Sequence, residues 1–421
     1  MNTNQGQGNN YYLLIKIDIM IAVTQCRLSL ASVKLIRKVI LSNLFLFISL
    51  LSYAQVLKLE IPKNYHPRPF VHPGLLHTAK DLERMKEMVA KKIEPWKSGF
   101  DVFAASPYSS ADWSPHAFEH VERSLLAGAG KHIGELDKDV CAAYQNAIMW
   151  KITGDERHAE TAIAIINAWS HTLKVFDGTD VELGAGLDGF KLTSAAEIMR
   201  TYPGWSPKDI EQCKAMFLNV FYPPIQYFAL WAHGNWDLAC MKEIMAIGVF
   251  CDDHALFNKA VDFYYRGPGN GSLLHYIVNE NGQVQESGRD QQHTQLGIGH
   301  LSEMCEVGWS QGIDMYSFMN NRLLKGFEYT AKYNMGEDVP FEPFTDISGR
   351  FPASVISAGG RNNLRSIYEM VYNHYAFRAK LPSEQYKYTK MAADKLRPEK
   401  AGFNADNAGF GTLLFSLKAT N

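Results

Sequence analysis

The residues best suited to chemistry fall in three polar segments of a 421-residue chain. The first is Trp231-Ala232-His233-Gly234-Asn235-Trp236-Asp237. A histidine, an asparagine and two tryptophans this close together can hydrogen-bond a polar ligand and stack on a sugar ring. The plainer alternative is a helix start capped by Asn235 or Asp237, with the tryptophans in the core. The second segment runs from Gln285 to Gln295 and contains Glu286, Arg289, Asp290, Gln292 and His293. If Arg289 opens a helix, Arg289 and His293 stand at i and i+4 and share a face, with Gln292 beside them. Glu286 is then placed to orient the Arg289 guanidinium. A solvated helix terminus with a simple Glu–Arg pair is the competing reading. The third segment holds Arg361, Arg365, Tyr368, Glu369, Tyr372, Asn373, His374 and Tyr375. Its tyrosines share a helical face, which suits a groove or a core aromatic stripe equally.

Other chemistries are poorly served. His300 follows His293 by seven residues, but the His-Glu-x-x-His pattern of zinc hydrolases is absent. So are a nucleophile elbow, a phosphate-binding loop and a dinucleotide fingerprint. Without a paired-cysteine motif or a calcium-type acidic loop, no metal and no cofactor are expected. The 42 basic side chains are matched by 44 acidic ones, so a nucleic-acid partner is not expected either.

The segments need elements to position them, and the pattern is mostly helical from His77 onward. Thr78 to Glu83 reads as a capped helix start. Val140, Ala143, Tyr144, Ala147 and Ile148 lie on one helical face, and Ala159, Ala162, Ile163, Ile166 and Trp169 on another. Thr153-Gly154-Asp155 between them predicts an αα-hairpin. Helical patterns recur over 193–200, 208–217, 238–250, 254–265, 292–311 and 316–333. A strand hairpin is expected at 274–285 around Asn281-Gly282. The tail from Gly336, richer in Pro, Gly and Phe, is expected to wrap the helical body. The fold class that follows is mainly α: an incomplete α/α toroid, a barrel of antiparallel helix hairpins, with a short irregular C-terminal wrap. No repeat of solenoid length stands out.

Residues 1–54 read as an address and a prefix. Basic Lys34, Arg37 and Lys38 precede the apolar run Val39–Leu51, and small residues lead to a cleavage site after Ala54. The run is short for a membrane span, so a periplasmic or secreted protein with no stable membrane anchor is expected. Residues 55–421 would form one domain. Cys141, Cys213, Cys240, Cys251 and Cys305 are odd in number and irregular in spacing, so buried free thiols are expected rather than a disulfide framework.

Taken in order, five pieces of the chain resemble the alginate lyase superfamily of secreted polysaccharide lyases, and within it polysaccharide lyase family 38. They are residues 139–170, the HGNWD segment at 233–237, ESGRDQQHTQLGIGHL at 286–301, 321–334, and YEMVYNHY at 368–375. The resemblance implies an α/α toroid with a central groove, and β-elimination on an anionic polysaccharide such as alginate, polymannuronate or glucuronan. Such an enzyme must neutralise a uronate carboxylate, take the C5 proton and protonate the departing O4. Carried over residue by residue, Asn235 and Arg289 match the family's neutralising positions. His293 is expected as base and Tyr375 or another groove tyrosine as acid. His233, Trp236, Gln292, His374 and Glu286 would contact substrate. Two rivals stay open. A glycoside hydrolase on the same fold needs a carboxylate pair, for which Asp237 and Asp290 are the candidates. A non-catalytic glycan-binding protein of the cell envelope needs only the aromatic residues.

Overall fold

A glycine in a left-handed turn and an aspartate behind it set the first repeat of the architecture. In the computed structural model, which describes residues 68–124 and 130–420, Gly154 (φ +75°) ends helix α3 and Asp155 caps α4 through the backbone N–H of Arg157. Numbering helices of eight or more residues gives α1 Ala79–Ala90, α2 Trp96–Ala104, α3 Ile133–Thr153, α4 Glu156–Thr172, α5 Val181–Met199 and α6 Pro207–Met216. Then follow α7 Gly234–Phe250, α8 His254–Arg266, α9 Gln291–Ser310, α10 Phe318–Asn334 and α11 Lys387–Leu396. Thr78 and Asp81 form the expected capping box at α1. The signal-sequence reading lies outside the described residues.

The helices form two layers. Helices α3, α5, α7 and α9 pack on one another in chain order, and α4, α6, α8 and α10 pack outside them. The inner helices are closed off nearly all round: every residue of α7 is buried. The outer ones bury only one stripe, as in α8 with Leu256, Phe257, Ala260, Val261, Phe263 and Tyr264. Because successive helices alternate in direction, the inner members start at the same end. This is an α/α toroid. None of the described helices is long and apolar enough to cross a membrane.

Two elements differ from expectation. Helix α5 begins at Val181, a full three turns before the predicted start. Its opening half carries Gly184, Gly186 and Gly189, and a Cβ on Gly186 would overlap the Ala239 backbone of α7. The glycines permit close helix contact and erase the apolar period that would have announced the helix. The predicted hairpin is reduced to a single bridge, Ile277 to Val284, preceded by a helical turn at Leu273–Tyr276. Two two-stranded ribbons complete the described strands: β1 His120–Glu122 with β2 Val175–Asp177, and β3 Phe344–Thr345 with β4 Pro352–Ala353. The five described cysteines are free thiols.

Candidate active site

Helices α7 and α9 begin beside each other, and a buried carboxylate joins them. Glu286 is 0% exposed. Its Oε1 accepts from Asn235 Nδ2 at 2.7 Å and from Arg289 Nη1 at 2.8 Å. Its Oε2 accepts from the Asn235 backbone N–H at 3.1 Å and from the Tyr276 hydroxyl at 2.9 Å. Four donors on one carboxylate compensate its removal from water. Burial, and then the charge of Glu286, push the Tyr276 phenol well above its usual range, so it stays a donor. The same hydroxyl lies 3.3 Å from the His293 carbonyl, so its one proton is shared between Glu286 and the first turn of α9.

Three side chains of this cluster are partly open to solvent. The Arg289 side chain is 32% exposed and the His293 side chain 38%. Asp290 caps α9 by accepting from His293 N at 2.8 Å, and its other oxygen lies 2.6 Å from His293 Nδ1. Burial pushes the Asp290 carboxyl up, but the hydrogen bonds from His293 outweigh it and hold it below the usual range. A charged Asp290 fixes His293 with Nδ1 protonated and Nε2 free to accept a proton. His233 is the third, stacked on Phe351 with ring centroids 3.6 Å apart. Burial lowers its pKa, outweighing the attraction of Glu286, so the ring is neutral near pH 7. The positive ends of the α7 and α9 dipoles face the same place, which favours an anion there.

A loop from the tail builds the neighbouring wall. Asp346 is 3% exposed and accepts from Asn270 Nδ2 and from the backbone of Ser348 and Phe351. That turn presents Phe351 to His233 and lets Arg350 Nη1 donate to the Trp231 carbonyl at 2.8 Å. Trp231 is 46% exposed and meets Trp236 edge-on at 5.0 Å. The open stacking surface is therefore Trp231, with Trp236 its buried support.

Several predicted roles change. Glu286 cannot contact substrate; it positions those that do. Asn235, expected to neutralise the carboxylate, is 0% exposed and holds Glu286 from behind, with its Oδ1 unpaired. Gln292 spends its amide on the Gly360 and Asn363 carbonyls and anchors the tail instead of ligand. Tyr375 is fully buried and donates to the Tyr316 carbonyl at 2.9 Å, beside Cys305. Cys305 lies about 18 Å along α9 from His293, so Tyr375 is no acid for this site. His374 is stacked on Tyr316 in the same core. Both misplacements have one cause: an aromatic stripe has the same spacing in a groove wall and in a core. No spacing in the sequence marks Tyr276 as part of the site; the fold makes room for it at Gly234 and Gly297, where a Cβ would overlap its ring or hydroxyl.

The rival carboxylate pair is otherwise engaged. Asp237 is buried and accepts from the Ala229 and Gly271 backbone, while Asp290 belongs to His293. Burial raises the Asp237 carboxyl to about 6. Among the described residues, His120, Glu122 and Asp177 form one group with metal-ligand spacing on β1 and β2. His120 Nε2 is already 2.7 Å from Asp177 Oδ1, and the group stands outside the cluster just described.

A family model described as alginate lyase matches residues 89–341. No curated protein sequence matches the chain. Among solved structures, alginate lyase A1-III from Sphingomonas species A1 is similar at TM-score 0.61 and 13% identity, covering 84% of this chain and 99% of that one. An alginate lyase from Bacteroides ovatus gives TM-score 0.53 and 13% identity, with 83% and 100% covered. A variant of the A1-III enzyme complexed with a tetrasaccharide gives 0.57 and 14%, with 82% and 97% covered.

Proposed function

The chain belongs to the alginate lyase family and is a polysaccharide lyase; from that premise we propose that it cleaves alginate, in particular polymannuronate, or glucuronan by β-elimination at the cluster around Arg289 and His293. The observation that carries the reading is the Asp290–His293 pair beside a half-open arginine at the positive ends of two helices. The guanidinium neutralises the uronate carboxylate, which makes the C5 proton removable. His293 Nε2 takes that proton. The C–H electron pair becomes the C4=C5 double bond, and the C4–O4 bond breaks. In the syn geometry of mannuronate and glucuronate, the imidazolium of His293 returns the proton to O4, so one residue serves as base and acid. This removes the need for a groove tyrosine. Glu286, supported by Asn235 and Tyr276, holds the guanidinium in place. Trp231 and Arg350 supply a stacking face and a further cation for neighbouring uronates.

The address at residues 34–54 supports export to the periplasm or beyond, where such polymers are met. Mass spectrometry of the oligosaccharide products tests the reaction class. Elimination leaves every chain with a new non-reducing end lighter by one water than hydrolysis would. Products of hydrolytic mass alone would replace the proposal with a glycosidase, and binding without cleavage with a glycan-binding protein.

A further inference from the structure

His233 carries a hydrogen-bonding history that the proposed reaction leaves unused. The backbone N–H of Gly234 can only donate, and it donates to Gln285 Oε1 at 3.1 Å. The amide of Gln285 is therefore turned so that its Nε2, which also only donates, faces His233 Nδ1 at 3.3 Å. Nδ1 must accept, so in the neutral ring the proton sits on Nε2. Gln285 is 4% exposed, which keeps water from competing for this contact. The Glu286 carboxylate lies 3.9 Å from the same Nδ1, beyond hydrogen-bond reach, and its four closer donors already occupy it. The Phe351 ring clamps the imidazole plane from the other side. Among the described residues Nε2 has no protein partner, and 20% of the side chain is open. At His293 the arrangement is reversed: Nδ1–H donates to Asp290, and Nε2 carries the lone pair.

We infer that Gln285 and Asp290 lock the two groove histidines in opposite tautomers, so that His233 presents an N–H and His293 a lone pair to the same uronate. The substrate part of this rests on the lyase reading above; the tautomers do not. His233 then fills the donor role that the sequence assigned to Asn235, which is closed off behind Glu286. Its N–H bonds the carboxylate oxygen on which charge accumulates as the C5 proton leaves, and it exchanges no proton itself. The charged groups around it are Glu286 and Arg289 from the α9 approach, His293 from α9, and Asp346 and Arg350 from the tail loop. None of them approaches His233 Nδ1 as closely as Gln285 does, and burial keeps the ring neutral.

Two experiments test it. In the full-length mature protein labelled with nitrogen-15 histidine, two-bond proton–nitrogen spectra at mildly alkaline pH report each tautomer, with His233→Gln and His293→Gln as assignment controls. The expected result is the Nε2–H form for His233 and the Nδ1–H form for His293; the same form in both overturns the inference. Gln285→Glu puts an acceptor at Nδ1 and is expected to convert His233 to the Nδ1–H form. The kinetic test uses His233→Gln, whose amide nitrogen falls near the place of Nε2. It should cost less than about tenfold in kcat and leave the acidic limb of kcat/KM where it was, against about a thousandfold for His293→Gln. If folded His233→Gln is as inactive as His293→Gln, His233 transfers a proton and the inference fails. Absence of unsaturated product from the wild type would instead defeat the lyase reading, while leaving the spectra to decide the tautomers.

Discussion

Helices α7 and α9 carry two buried polar clusters, one helical face apart by seven residues: Asn235 is matched by Lys242, and His293 by His300. The clusters are built from similar groups and reach opposite ends. Lys242 Nζ donates to His300 Nδ1 at 3.0 Å, Glu303 Oε2 at 2.8 Å and the Asp406 carbonyl at 2.9 Å, which uses every proton of its ammonium. Glu303 Oε1 accepts from Ala408 N at 2.7 Å. That cluster is closed to solvent, although His300 Nε2 is left buried without a partner. At the helix starts the carboxylate is equally buried, but the arginine and two histidines around it keep one side open to solvent. The difference teaches how to tell a structural ion network from a site: by whether the donors and acceptors left over face solvent, as at Arg289, His293 and His233, or are shut in, as at His300 Nε2.

Variants should separate the two clusters. His293→Ala is expected to lower kcat by about a thousandfold or more, the range for a lost general base, with the thermal midpoint unchanged; steady-state kinetics and a melting curve check both. Lys242→Met should do the reverse. Removing one partner of a closed buried pair costs about 3–5 kcal/mol of stability, read by denaturant titration, while kcat per folded molecule holds.

The closed cluster should also be acid-sensitive. Burial, aided by Lys242, lowers His300 from 6.5 to about 4. The unfolded chain takes up that proton first, so stability falls as pH drops through this window, by on the order of 3 kcal/mol at most. Burial pushes the Glu303 carboxyl up, but Lys242 and His300 outweigh it and bring it from 4.5 to about 2, so a second loss follows at lower pH. Melting temperature against pH shows this, and a flat profile from neutral to pH 4 would contradict it.

Smaller effects probe the supports. Glu286→Gln keeps the shape but weakens the hold on Arg289, for about 10–100-fold in kcat. Asn235→Ala should follow it in the same direction, acting through Glu286; an unchanged kcat would remove Asn235 from the account. Trp231→Ala is expected to raise KM a few-fold on long chains and leave short oligomers alone, the signature of a remote stacking subsite.

Much of this was legible beforehand, for physical reasons that can be named. Amphipathic outer helices and the Gly154-Asp155 turn announce the toroid hairpins. Asp290 and His293 are the N-cap and third residue of α9, so their contact follows from spacing alone; Arg289, expected to open that helix, lies before the extended cap and pairs with Glu286 instead. Contacts between distant segments carry no such mark. The Glu286–Asn235 bond, the Tyr276 hydroxyl and the Phe351 clamp come from segments far apart in sequence that meet only in the folded chain. Inner helix α5 hid its first half because it is buried on every side and glycine-rich where it touches α7. Tyr375 misled because burial, and not spacing, separates it from the groove.

The central claim is that Arg289 and His293 carry out β-elimination on a uronate chain. The most direct measurement follows the ultraviolet absorbance of the conjugated C4=C5 product when the mature protein meets polymannuronate, polyguluronate and glucuronan separately. A rise with polymannuronate or glucuronan, abolished in His293→Ala, is the predicted result and matches syn elimination by one residue. New reducing ends without that absorbance, or an undiminished rise in His293→Ala, would contradict the account.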